Sequence, residues 1–173
     1  MRPVRLMRAD LRMMDAAIEG DAALARVLGL SVAEGWAAAF PGALGTARRT
    51  LAQSPAGDRW GTHLLVAGRP GEVVGWGGFK GSPRDGVVEL GYEVAVGHRG
   101  RGIATAATLA MLEQARADRD VTTVIAHTLP GPGASTRVLA KAGFALDGHA
   151  REHGEPVWRF SCAVVDRPPS GSG

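Results

Sequence analysis

A single stretch restricts the fold more than any other. Val87 to Val96 reads as an apolar strand and is followed by His98-Arg99-Gly100-Arg101-Gly102. That loop opens directly into an Ala/Leu-rich helix, predicted from Ile103 to about Ala117, and Val121 to His127 then reads as another strand. A strand–helix–strand crossover returns its second strand parallel to the first. The strands upstream are His63–Ala67 and Glu72–Lys80, linked to each other and to Val87 by short Gly/Pro-rich connections. Connections that short make antiparallel hairpins. The expected architecture is therefore α/β, with a mixed, mainly antiparallel sheet containing one parallel pair. The loop before the crossover helix is electropositive: a helix start carries unpartnered N–H groups and the positive end of the dipole. Gly100 and Gly102 present no Cβ to an approaching anion, and Arg99 and Arg101 add charge suited to phosphate oxygens. The assembly predicts a site for a phosphorylated ligand.

Three phosphate-binding patterns compete for this loop. A P-loop requires a Gly-Lys pair, and the chain has none. A dinucleotide fingerprint beginning at Gly100 fails where Thr105 stands in place of Gly or Ala. The third, Arg/Gln-x-x-Gly-x-Gly/Ala, is met by Arg99-Gly100-Arg101-Gly102-Ile103-Ala104 directly after Val94 and Val96. Here the chain resembles the GNAT superfamily of acyl-CoA N-acyltransferases. Downstream, Ala134 to Phe144, ending Lys141-Ala142-Gly143-Phe144, is similar to that family's late helix. Val88-Glu89-Leu90-Gly91-Tyr92 resembles the branch that includes ribosomal-protein N-terminal acetyltransferases. The likeness runs from Val73 to Val165.

The resemblance implies a sheet whose central parallel pair splays around the cofactor, with helices on both faces. It implies a bulge in the strand before the phosphate loop and a pantetheine arm lying in the gap as a false strand. Backbone groups of Val94, Ala95 and Val96 would then meet pantetheine and thioester. Arg99, Gly100, Arg101, Gly102, Ile103, Ala104 and Thr105 would hold the diphosphate of acetyl-CoA. The implied activity is acetyl transfer from acetyl-CoA to a primary amine, of a small molecule or a protein N-terminus. A non-catalytic acyl-CoA-binding or sensor module on the same fold stays open beside it.

Acetyl transfer needs a neutral amine, a stabilised oxyanion and a departing thiolate. Glu89 is the first choice for general base: on an alternating strand it shares a face with Gly91, Glu93 and Ala95, whose small members leave room for an amine. A carboxylate that binds a cationic substrate, or pairs with an arginine, is the competing reading, and Glu93 is the substitute. Among the histidines, His127 stands nearest the expected cleft. The late helix of the family often carries Tyr beside the sulfur, whereas the one tyrosine here, Tyr92, lies in a strand. Gly133-Ala134-Ser135 replaces the branch's Asn-x-Ser, so Ser135 is either a donor to the thiol or a helix cap. Glu89, Glu93, Asp147 and Glu152 suit a cationic acceptor. No metal-binding cluster is visible in the spacing, since Cys162 stands alone and His149 with His153 lacks a third ligand. A nucleophile-elbow triad is missing as well.

The N-terminal half is expected to wall the acceptor pocket. Val4 to Met7 alternates as a short strand. Asp10 can cap a helix through Ile18, and Ala22 to Leu28 forms another turn or two. Ser31-Val32-Ala33-Glu34 matches a capping box opening a helix toward Phe40. Another helix is expected from Ala43 to Ala52. Trp36, Phe40 and Trp60 either line the pocket or pack in the core, where apolar rings belong by default. Phe144–Arg151 and Val157–Val165 read as a closing hairpin, and 167–173 as a disordered tail beyond a single domain over 1–166.

Net charge excludes a general nucleic-acid surface: it is only +3, with 18 arginines scattered against 2 lysines. The apolar runs are too short to span a membrane. A lone cysteine points to a reducing, cytoplasmic setting without an internal disulfide. Exposed strand edges leave a homodimer open.

Overall fold

The computed structural model describes residues 4–40, 42–53 and 59–164. Its order is β1 (Val4–Arg8), α1 (Leu11–Glu19), α2 (Asp21–Leu28), β2 (Ser31–Val32) and α3 (Ala43–Gln53). Then come β3 (Thr62–Ala67), β4 (Glu72–Phe79), β5 (Val87–Val94), a 3-10 turn (Val96–His98) and α4 (Ile103–Arg116). The chain closes with β6 (Thr123–Thr128), α5 (Ala134–Lys141), β7 (Ala145–Glu152) and β8 (Glu155–Ala163). The strands lie in the order β1-β3-β4-β5-β6-β8-β7, with β2 against β4. The sheet is mixed and mostly antiparallel, and β5–β6 is the parallel pair that the crossover demands. The tail expected over 167–173 lies outside the described residues.

Local signals account for most boundaries. The Asp10 carboxylate accepts from the Met13 N–H at 2.8 Å and starts α1. Gly29, in the left-handed region at φ 65°, ends α2. Leu64, Leu65, Val66 and Ala67 are all buried, which an alternating strand permits only when both sheet faces are covered. One covering layer is α4, whose Ile103, Ala107, Met111, Leu112 and Ala115 are inaccessible or nearly so. Each large apolar side chain buried there contributes about 1.5–3 kcal/mol.

The segment at Ser31 differs from expectation. In place of a capped helix, Ser31 and Val32 pair in parallel with Glu72 and Val73, and the Ala33 N–H donates to the Val73 carbonyl at 2.8 Å. The reason lies in β4: pairing with β5 runs only from Phe79–Leu90 to Gly75–Val94, so the start of β4 has an open flank. Satisfying those peptide groups outweighed a weak local capping pattern. The strand expected to reach Val96 stops at Val94, where the chain winds into the 3-10 turn. Three glycines in β4 mark close backbone approach, as the sequence suggested, Gly77 standing against the Gly91 carbonyl. A Cβ on Gly75 would run into the Glu93 carbonyl, and one on Gly78 into the Gly61 carbonyl.

Candidate functional site

The parallel pair is joined only from Val87–Thr123 to Glu89–Ile125. Beyond that point β5 stays with β4 in unbroken register, without the bulge implied by the resemblance, and β6 stays with β8 over Thr123–Thr128. The two strands therefore part, because each is held by its outer antiparallel neighbour. The Lys80 N–H donates to the Glu89 carbonyl and the Ala95 N–H to the Val74 carbonyl, both at 2.8 Å. Antiparallel alternation then turns the peptide groups of Glu89, Gly91, Glu93 and Ala95 toward β4. Those of Leu90, Tyr92 and Val94 face the gap.

At the mouth of this gap, Gly100 and Gly102 adopt φ 73° and 77°, a conformation that L side chains rarely enter. Gly102 is the N-cap of α4 and supplies no side-chain cap, and the first turn holds no acidic residue. The Ala106 N–H is bonded to the Gly102 carbonyl, which leaves Ile103, Ala104 and Thr105 as the N–H groups before the first turn closes. Such an end favours an anion by about 0.3–1 kcal/mol at an exposed site. Arg101 is exposed, whereas Arg99 folds back and donates through Nε to the Val94 carbonyl at 3.1 Å. Both Ala95 peptide groups are engaged within the chain, the carbonyl accepting from the His98 N–H at 2.8 Å. Val96, 70% exposed, accepts from the Arg99 N–H. Of the three residues expected to meet pantetheine, only Val94 keeps its N–H turned to the gap. Two hollows flank the His98–Glu72 pair (3.0 Å), and one of them is lined also by Arg101 and Ile103 at the start of α4.

The side chains at the gap come from β5, β6 and β7 and from Lys80, the residue after β4. Glu89 Oε1 accepts from His127 Nδ1 at 2.9 Å, and Lys80 Nζ lies 2.5 Å from the same oxygen. Lys80 Nζ also reaches Glu152 Oε1 at 2.8 Å, and His127 Nδ1 lies 3.3 Å from that oxygen. Burial works against the Lys80 charge, yet hydrogen bonds and attraction from Glu152 and Glu89 outweigh it and raise its pKa above the ordinary lysine value. The Glu152 carboxyl is lowered: the Lys80 ammonium and the His127 ring outweigh its partial burial. Glu89, His127 and Glu152 also form a set of three donors whose ligand atoms lie within 4.8 Å of one another. Sequence spacing gave no sign of this cluster, because its members stand 38 and 25 residues apart in the chain. The cation inside it is the Lys80 ammonium.

The other candidates separate cleanly. Glu93 is 5% exposed, with one oxygen accepting from the Ala39 N–H at 2.6 Å and the other from Trp76 Nε1 at 3.0 Å. It anchors the 33–40 loop to the sheet. Trp36 and Trp60 are core residues, Trp60 set edge-on to Phe79 at 4.7 Å, and Phe40 is 60% exposed. Ser135 occupies the first turn of α5 but does not cap it; the N-cap is Gly133, whose N–H donates to Thr136 Oγ1 at 2.9 Å. The Tyr92 hydroxyl donates to the Ser135 carbonyl at 3.5 Å, and burial pushes its pKa up to about 12. His149 packs edge-on to Trp158, and Asp147 faces Arg159 at 3.4 Å.

A sheet parted at its parallel pair, with a glycine-bearing loop and an uncapped helix start at the mouth, frames the site. The profile described as "Acetyltransferase (GNAT) domain" matches residues 2–145, and the chain belongs to that family. The chain is 26% identical over 152 residues to an uncharacterized N-acetyltransferase, YjdG, of Bacillus subtilis (strain 168), spanning 87% of this chain and 90% of that protein. The fold is similar to the ribosomal-protein-S18-alanine N-acetyltransferase of Escherichia coli: TM-score 0.65, 13% identity, all of both chains covered. It is also similar to aminoglycoside acetyltransferase AAC(6')-Ib in complex with coenzyme A: TM-score 0.59, 19% identity, 94% of this chain and 95% of that one. Among the described residues no helix is long and apolar enough to cross a membrane.

Proposed function

We propose that the chain is an acetyl-CoA-dependent N-acetyltransferase acting on a primary amine, working as a single unit over 1–166 in the cytoplasm. The observation that carries this reading is the parting of β5 from β6 at Glu89–Ile125, with the α4 loop at the open end. Acetyl-CoA supplies the thioester-bound acetyl group. The N–H groups from Gly100 to Thr105, helped by Arg101 and the outer nitrogens of Arg99, hold the diphosphate. The gap-facing peptide groups of Leu90 and Tyr92, with the Val94 N–H, receive the extended arm in the manner of a missing strand. Glu89, at the closed end of the gap, accepts the proton of the attacking amine. Preorganised N–H groups around the oxyanion are typically worth about 2.7–4 kcal/mol in such a site. Ser135, in the first turn of α5, donates to the departing thiol; a thiolate is a tolerable leaving group near neutral pH, so its donation assists without being obligatory.

The named activities of the relatives, on a ribosomal-protein alanine and on an aminoglycoside, both place an amine in the acceptor position and support that part of the reading. The test combines calorimetry with CoA and a thiol-release assay using acetyl-CoA and a panel of primary amines. Cofactor binding with thiol release that depends on Glu89 is expected. Binding without turnover for any amine, unchanged in Glu89→Gln, would mean a sensor module; no binding of CoA or acetyl-CoA removes both readings.

A further inference from the structure

The hollow between the β3–β4 turn and the start of α4 has a volume of about 250 Å³. That is below the roughly 300–1,000 Å³ of a pocket for a whole drug-sized ligand, and it suits a single headgroup. Its polar lining converges from separate parts of the chain: Arg69 of the turn, His98 and Arg101 of the loop before α4, and Ser31 and Glu72 where β2 meets β4. Glu72, the carboxylate of this lining, is engaged by His98 at 3.0 Å. Arg69 and Arg101 are exposed, and neither guanidinium has an ion-pair or hydrogen-bond partner among the described residues. Two unpaired cations beside a carboxylate that is already taken select an anion. The neighbouring hollow, across the His98–Glu72 pair, is larger at about 450 Å³, but its lining includes Glu34 and no arginine. Charge, not size, separates the two.

We infer that the smaller hollow is a subsite for a phosphate monoester, and that Arg69 is the side chain that gives it specificity. A phosphate dianion accepts hydrogen bonds from both guanidinium groups, in the forked geometry that suits its oxygens. Ile103, also in the lining, opens α4, so the positive end of the helix dipole adds to the same sign. Arg101 belongs both to this lining and to the loop read above as the diphosphate site. Coenzyme A carries a monoester of this kind, the 3′-phosphate on the ribose that its diphosphate joins. A separate phosphorylated ligand would present the same chemistry. The inference rests on the acyl-transfer reading for the cofactor as source, and on the hollow alone for the chemistry.

The test is calorimetry at low salt with CoA and with dephospho-CoA, which lacks only the 3′-phosphate, on the full chain and on Arg69→Gln. The parent should bind CoA about tenfold more tightly than dephospho-CoA, a difference of ~1.4 kcal/mol. Arg69→Gln should bring CoA down to the dephospho-CoA value. Arg69→Lys should recover part of the difference and added salt should erode it, neither of which follows if Arg69 only shapes the turn. A last arm titrates inorganic phosphate with dephospho-CoA present. Phosphate binding that is lost in Arg69→Gln, beside equal affinities for the two cofactors, upholds the subsite and gives it to a separate phosphorylated ligand. A 3′-phosphate preference that survives Arg69→Gln overturns the proposal. So do equal cofactor affinities without Arg69-dependent phosphate binding, and that result leaves the acyl-transfer reading standing. Arg69-dependent phosphate binding with no binding of either cofactor removes the acyl-transfer reading alone.

Discussion

Glu89 and Tyr92, three residues apart on β5, project to opposite faces of the sheet: Glu89 meets His127, and the Tyr92 hydroxyl meets the Ser135 carbonyl at the start of α5. Period-two alternation imposes this on any strand. Here it sets a carboxylate on one side of the gap and a phenol on the other.

Two carboxylates on the same strand should respond in opposite ways to substitution. Glu89→Gln is expected to lower kcat by about 10²–10⁴, with CoA affinity and stability nearly unchanged. Glu93→Ala strands the Ala39 and Trp76 N–H groups without an acceptor and should cost about 1–3 kcal/mol for each buried donor. Thiol-release kinetics and urea denaturation of the two variants check the pair; a Glu93 variant of unchanged stability removes its anchoring role.

Tyr92 is the one tyrosine, so its ionisation can be read directly from ultraviolet absorbance. Burial raises its pKa from 10.0 to about 12, and the protonated form is therefore favoured by folding. That stabilisation is complete below pH 10 and is lost as pH rises toward 12. Folded protein should show little tyrosinate where urea-unfolded chain is half ionised. Coincident titration curves would contradict the burial.

His63 works at the acid end. Its ring is 5% exposed, and burial, aided by the Arg8 charge and opposed by a hydrogen bond to the Gly61 carbonyl, holds its pKa below the ordinary 6.5. The unfolded chain takes up a proton first as pH falls through 6.5, so this contribution to stability is present above that value and shrinks below it. His63→Leu should flatten the fall in urea stability between about pH 7 and about pH 5. An unchanged slope counts against the assignment.

Glycines in similar strands should differ sharply. Gly75→Ala drives a Cβ into the Glu93 carbonyl and is expected to cost about 1–3 kcal/mol, read as a lower urea midpoint at constant m. Gly148→Ala meets nothing within 4 Å and should stay within about 0.5 kcal/mol of the parent. Equal effects at both positions would mean that β4 and β5 do not approach closely at Gly75.

Strand and helix positions from β3 onward were legible because their cues are local: apolar alternation, Gly/Pro turns, and the Gly102–Ile103 junction. Ser31–Glu34 was misread for the same reason. Its capping pattern is local, whereas the open flank of β4 that captured Ser31 and Val32 lies about 40 residues away in the chain. The sequence put Glu89 first and kept Glu93 as its substitute, both acidic and on one face of β5. Only packing separated them, by burying Glu93 under the 33–40 loop while leaving Glu89 beside His127.

By itself, then, the order of residues determined a mixed sheet with one parallel pair, an anion-ready loop at the α4 start, and the family to which the chain belongs. Each of those depends on neighbours a few positions apart. The family resemblance already implied that the parallel pair parts, but tertiary structure alone fixed the place at Glu89, because each strand is held by a different antiparallel partner. It alone gathered Lys80, Glu89, His127 and Glu152, since charges from β5, β6, β7 and the residue after β4 meet only when the sheet sets their registers.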